Sequence, residues 1–121
     1  MQFKIEHTSV LVTDLQRTIA FYEQAFQLTV RREKAAADRD IVFLGNDQAP
    51  MQIEVIRMHG DASQPDLGDN PTHLAFRTDD FEASRRLHED MGCIHHELPE
   101  FGVYFVSDPD GYLCEVMPVR K

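Results

Sequence analysis

Two histidines and two glutamates recur at matched places in this chain, and together they form a plausible metal-ligand set. His7 and His73 are separated by 73 − 7 = 66 residues, and the same offset carries Asp14 onto Asp80 and Leu15 onto Phe81. Glu54 in Ile53-Glu54-Val55-Ile56 resembles Glu115 in Cys114-Glu115-Val116-Met117, at an offset of 115 − 54 = 61. Two neutral imidazoles and two carboxylates balance one divalent cation and leave positions open for water or substrate if the ion is octahedral. Mixed nitrogen and oxygen donors suit Ni²⁺, Co²⁺, Zn²⁺, Mn²⁺ or Fe²⁺ alike. Taken singly, a strand histidine or glutamate is more often packing or solvated surface than ligand. Four of them tied to an internal repeat point to metal binding. Gln52, two residues before Glu54 on the same strand face, is the alternative ligand.

The elements that must position these residues can be read from periodicity. Residues from Phe3 to Val12 predict a strand buried on both faces, with Ile5, His7, Ser9 and Leu11 on one side and Thr8, Val10 and Val12 on the other. Thr13 or Asp14 can cap a helix whose apolar positions are Leu15, Ile19, Tyr22 and Phe26. Strands are expected over Leu28–Glu33, Ile41–Leu44 and Met51–Arg57, the last with Glu54 turned away from the apolar face. The second half repeats the order. His73–Arg77 is a strand, and Asp79 or Asp80 caps a helix with Phe81, Leu87 and Met91 inward and Gly92 at its end. Strands follow at Cys93–His96, Val103–Ser107 and Tyr112–Met117, with Asp108-Pro109-Asp110-Gly111 as a type I turn. His59, His88, His95 and His96 have no carboxylate at a matched offset and read as surface or structural residues.

The fold expected is α+β, two βαβββ modules in a single domain over 1–121: a first module over 1–58, a Gly/Asp/Pro/Ser-rich linker over 59–70, and a second module over 71–121. With 121 residues and a formal net charge of −9, the chain suits a small-molecule substrate and argues against nucleic-acid or anionic-membrane partners. No apolar run approaches the length of a membrane span, and no signal-peptide pattern follows Met1, so the cytoplasm is the expected compartment. Cys93 and Cys114 read as reduced core thiols.

These motifs resemble the vicinal oxygen chelate superfamily (glyoxalase/bleomycin resistance/dioxygenase), and within it glyoxalase I, the lactoylglutathione lyase. The resemblance rests on His7 with the Val-Thr-Asp-Leu that follows, Ala-Phe-Tyr in the first helix, Gln-Ile-Glu-Val around Glu54, Thr72-His73-Leu74-Ala75-Phe76, and Ser-Asp-Pro-Asp-Gly-Tyr-Leu-Cys-Glu ending at Glu115. It implies a curled mixed sheet around a metal cleft, with His7, Glu54, His73 and Glu115 as ligands of a divalent ion (Ni, Co or Zn first, then Mn or Fe). It also implies a homodimer whose cleft is built either within one chain or from modules of two. Fosfomycin-resistance proteins and extradiol dioxygenases of the superfamily use His/His/Glu, and methylmalonyl-CoA epimerases carry Gln near the Glu54 position, so Glu54 favours glyoxalase chemistry. The implied reaction converts the hemithioacetal of methylglyoxal and a thiol to a 2-hydroxyacyl thioester, with Glu115 as catalytic base and Glu54 as ligand and second acid/base. In the bacterial glyoxalase I pattern an Arg four residues after the first His helps hold glutathione, and here that residue is Leu11. The repeat offers Arg77 (11 + 66) as a substrate-anion anchor. The alternatives are a related enzyme acting on another thiol or a carboxylate substrate, and a metal-free binding module of the antibiotic-resistance type.

Overall fold

The computed structural model describes residues 1–60 and 63–120. Asp61 and Ala62, inside the expected linker, and the terminal Lys121 lie outside the described residues. Contacts divide the chain into two compact units, Met1–Asp66 and Leu67–Lys121. The first holds β1 (His7–Leu11), α1 (Leu15–Phe26), β2 (Thr29–Ala35), β3 (Arg39–Asn46) and β4 (Ala49–Met58). The second holds β5 (His73–Thr78), α2 (Phe81–Asp90), β6 (Ile94–Leu98), a 3₁₀ turn at Pro99–Phe101, β7 (Val103–Ser107) and β8 (Leu113–Pro118). Each forms a four-stranded mixed sheet, ordered β1-β4-β3-β2 and β5-β8-β7-β6. In each, the first and last strands run parallel and the other pairs antiparallel. The βαβββ order is therefore present twice.

Parallel pairing of strands that lie at opposite ends of a module needs a crossover, and in each module the helix begins it. The 66-residue offset that carries Asp14 onto Asp80 is an N-cap repeat. Asp14 accepts from the Arg17 N–H at 3.0 Å and Asp80 from the Ala83 N–H at 3.0 Å, each satisfying a donor that the first helical turn leaves open. In the first unit the core contains Val10, Tyr22, Ala25, Ile53 and Val55; in the second it contains Tyr104, Val106, Cys114 and Val116. Fully burying a side chain of this size contributes about 1.5–3 kcal/mol.

Three expectations change. The first strand begins at His7 rather than Phe3. It is not buried on both faces, because Val10 is buried while His7, Ser9 and Leu11 are exposed. The apolar residues before it, Phe3 and Ile5, are exposed as well, with no sheet partner to hold them. On α2, Leu87 is 38% exposed and His88 only 1%, so the buried stripe runs one residue later than apolar character suggests. The cause is a polar one: the Tyr104 hydroxyl, buried under the helix, lies 2.6 Å from Ser84 Oγ and 2.7 Å from His88 Nδ1. A buried phenol needs such partners, and burial pushes its pKa up, keeping it neutral. Finally, β6 runs Ile94–Leu98 instead of Cys93–His96, and its register against β7 shifts between Ile94 and His96. Cys93 is only half-buried, whereas Cys114 is in the core, and both are free thiols.

The Asp108-Pro109-Asp110-Gly111 turn closes with the Gly111 N–H donating to the Asp108 carbonyl at 3.0 Å. The Asp108 carboxylate accepts from the Asp110 and Tyr112 N–H groups, each at 2.9 Å, so this buried acid serves its own turn. Removing the hydroxyl shared by Ser84 and His88 should be felt globally. Tyr104→Phe is expected to lower unfolding free energy by about 1–3 kcal/mol, measured as a reduced urea midpoint without a change in slope.

Candidate metal centre

The register of the parallel strand pairs brings the histidines and glutamates together. In the first unit His7 is paired with Gln52 and Ser9 with Glu54, so His7, Ser9 and Glu54 share the face opposite α1. His7 Nε2 lies 3.7 Å from Glu54 Oε1. In the second unit His73 is paired with Leu113 and Ala75 with Glu115, and His73 Nε2 lies 3.1 Å from Glu115 Oε1. Both pairs remain accessible: the side chains of His7 and His73 are 33% and 38% exposed, those of Glu54 and Glu115 16% and 19%.

An aromatic ring on the third strand buttresses each imidazole. His7 meets Phe43 edge-on at 5.4 Å between centroids, and His73 meets Phe105 edge-on at 5.0 Å. Phe43 is paired with Glu54 and Phe105 with Glu115. These phenylalanines were not expected as site residues, although their offset of 105 − 43 = 62 nearly matches that of the glutamates. Each stands at the third position of a similar run, Ile41-Val42-Phe43-Leu44 and Val103-Tyr104-Phe105-Val106.

The surroundings of the two pairs differ. Ser9 Oγ donates to Glu54 Oε1 at 2.5 Å, whereas the matching position is Ala75. His7 Nδ1 is hydrogen-bonded to the Glu6 carboxylate, whereas position 72 is Thr. The His7 hydrogen bond, together with the neighbouring cations, holds the Glu6 carboxyl below the usual carboxylate range. Gln52, the alternative ligand, extends over Gly45 on β3, where an added Cβ would stand 3.2 Å from its Cγ. It thus leans away from β1, and the contact with His7 comes from Glu54. Arg77 shares the exposed face of β5 with His73, and its Nη1 donates to the Pro118 carbonyl at 2.7 Å. Tyr104 is core and Phe101 is 73% exposed.

Imidazole nitrogen and carboxylate oxygen are donor types that a divalent ion takes. Nitrogen and oxygen ligands that each stand about 2.1 Å from a shared ion, at a right angle, are about 3.0 Å apart. The His73–Glu115 separation is close to that value, while the His7–Glu54 separation is longer, with Ser9 tethering the carboxylate. Among the described residues, no group of three or more His, Cys, Asp or Glu side chains is placed to hold a metal. Each unit therefore presents two donors, one imidazole and one carboxylate.

The family model described as the Glyoxalase/Bleomycin resistance protein/Dioxygenase superfamily matches residues 4–116. The chain is 28% identical to the lactoylglutathione lyase of Salmonella typhimurium over 97% of its own length and 93% of that protein. Its fold is similar to that of the trypanothione-dependent glyoxalase I of Leishmania major, with a TM-score of 0.86, 24% identity, and coverage of 97% of this chain and 87% of that one. It is also similar to a fosfomycin resistance protein of Listeria monocytogenes crystallised with Mn(II), with a TM-score of 0.77, 21% identity, and coverage of 97% and 93%. The ring contacts provide a direct test of how the site is held. Phe105→Ala is expected to cost about 3–5 kcal/mol and to shift the His73 imidazole resonances, read by NMR of the ring protons.

Proposed function

The chain belongs to the glyoxalase/bleomycin resistance protein/dioxygenase superfamily, and from that premise we propose that it is a metal-dependent lyase of the glyoxalase I type. Its substrate is the hemithioacetal of methylglyoxal and a thiol, and its product a 2-hydroxyacyl thioester. The observation that carries this reading is the repeated imidazole–carboxylate pair, His73 with Glu115 at 3.1 Å and His7 with Glu54 at 3.7 Å, on matched strand positions. His7, Glu54, His73 and Glu115 together hold one divalent ion, Ni²⁺, Co²⁺ or Zn²⁺ first and Mn²⁺ or Fe²⁺ next. The protein works as a cytoplasmic homodimer in which each ion takes one pair from each of two modules.

When bound, the ion supplies Lewis acidity to the adjacent substrate oxygens and makes the carbon-bound proton between them easier to remove. Glu115 takes that proton from one carbon and returns it to the neighbouring carbon. The contrast between Ser9 and Ala75 supports this division of labour. The Ser9 hydroxyl tethers Glu54 as a ligand, while Glu115 faces Ala75 across the parallel strands and has no such tether there. Glu54 is thus the ligand and the second acid/base. Arg77, with one nitrogen engaged by the Pro118 carbonyl, offers its remaining N–H groups to an anion of the substrate.

Purified protein should contain a divalent metal, or take one up, and should form thioester from methylglyoxal and a thiol. If it holds no divalent ion and accepts none, both the site and the reaction fail. Glu115→Gln should lower kcat by about 10²–10⁴ while metal content, read by elemental analysis, persists. His7→Ala and His73→Ala subunits should each be inactive alone. Activity restored by mixing them shows modules shared between two chains, and no restoration shows the four ligands coming from one chain. Arg77→Ala should raise KM for the true substrate, and an unchanged KM removes Arg77 from the site.

A further inference from the structure

Neighbouring residues on a regular strand point to opposite faces of the sheet, so adjacent histidines there cannot meet. His95 and His96 do meet, because the register of β6 shifts between Ile94 and His96. Ile94 is paired with Val106, His96 with Phe105 and Glu97 with Tyr104. Val106 and Tyr104 are buried on the helix side of the sheet, and Glu97 accepts from Arg85 of α2 at 2.5 Å, so Ile94 and Glu97 turn to that side. The two residues between them, His95 and His96, both turn to the face that carries His73 and Glu115, as a bulge allows. The same shift occurs in the first unit between Val30 and Arg32, where the doubled residues are Arg31 and Arg32 and Arg32 lies 4.0 Å over the Phe43 ring. Guanidinium groups have no lone pair for a cation, so only the second unit offers donors at this place.

The bulge aims the two imidazoles at each other. His95 Nδ1 lies 2.7 Å from His96 Nδ1, with the ring planes 77° apart. The His96 ring is held by stacking on Phe105, 4.6 Å between centroids and 8° from parallel. β6 is an edge strand, His95 is exposed and His96 half-buried, so the pair is open to ions from solution. Two neutral imidazoles at this separation share one proton, the Nδ1–H of one donating to the Nδ1 lone pair of the other. A cation that takes both lone pairs sends that proton to Nε2 of the same ring, with no net change in protonation. Two nitrogens about 2.0–2.1 Å from a shared ion stand about 2.8–3.0 Å apart at a right angle and about 3.3–3.4 Å apart at the tetrahedral angle. The observed 2.7 Å suits the right angle of a square-planar or tetragonal ion.

We propose that His95 and His96 form a second metal site, a bidentate imidazole chelate for Cu²⁺ or Ni²⁺ in which water completes the coordination shell. Tetragonal geometry with nitrogen donors belongs to these two ions, and the affinity order peaks at Cu²⁺. The all-nitrogen donor set separates this site in kind from the His7–Glu54 and His73–Glu115 pairs, which mix nitrogen with carboxylate oxygen. It requires neither those residues nor turnover, so it stands independently of the lyase reading.

The test titrates Cu²⁺ into the metal-stripped full chain carrying His7→Ala and His73→Ala, which removes the imidazoles of the candidate centre. Binding is followed by calorimetry, by nitrogen coupling in the electron paramagnetic resonance spectrum of the ion, and by broadening of histidine ring protons in NMR. The expected result is one tight Cu²⁺ coupled to two nitrogens, with the His95 and His96 resonances broadened before those of His59 and His88. Adding His95→Asn, or His96→Phe, which keeps an aromatic ring over Phe105, breaks the chelate and weakens binding at least about 100-fold. Ni²⁺ should bind more tightly than Zn²⁺. In the chain with His7 and His73 intact, His95→Asn should remove one equivalent of bound Cu²⁺ and leave any held by those histidines, a comparison that does not depend on the double variant folding. Absence of Cu²⁺ binding, an affinity unchanged by His95→Asn and His96→Phe, broadening spread evenly over all the histidines, or Zn²⁺ bound as tightly as Ni²⁺ overturns the inference and leaves the lyase reading standing.

Discussion

Everything at the candidate centre depends on the parallel pairing of the first and last strands of each module. That register sets Ser9 opposite Glu54 and Ala75 opposite Glu115, with each histidine two residues earlier on the same face. Side chains alternate strictly across a strand, so a slip of one residue would send Glu54 and Glu115 to the helix side and bring Val55 and Val116 out. Val55 is wholly buried and Val116 only 1% exposed, and the cost of exposing them holds the register. The apolar face that anchors each sheet is thus what presents the polar one.

The same constraint explains why the aromatic rings are where they are. An antiparallel third strand on the far side of the glutamate strand must place one residue beside each carboxylate, and in both modules it is Phe. Its ring is large enough to reach the histidine diagonally and to carry a further side chain on the edge strand. The imidazole is thereby held from below by an apolar edge contact, worth roughly 0.5–1.5 kcal/mol for an aromatic pair, while its Nε2 is left facing the carboxylate.

The two modules keep the pairs alike and vary what surrounds them. Ser9 against Ala75 and Glu6 against Thr72 are changes on or beside the site face, and neither alters the sheet order. The fold is shared with a fosfomycin resistance protein as well as with a glyoxalase I, so the fold alone does not fix an activity.

Much of this was legible in the sequence because it is local or repetitive. The two helix caps, the strand carrying Glu54, the Asp108 turn and the offsets of His and Glu are all set by neighbours within a few residues or by the internal repeat. The buried His88 was not legible, because its reason for being inside is a phenol sixteen residues away (104 − 88) on another strand. The sequence by itself determined the residue types at the candidate site and the elements that carry them, because spacing and alternation are properties of the chain. Only the tertiary structure decided which atoms meet, that Glu54 rather than Gln52 reaches His7 and that Phe43 and Phe105 lie beneath the imidazoles, because cross-strand register is set by packing between segments far apart in sequence.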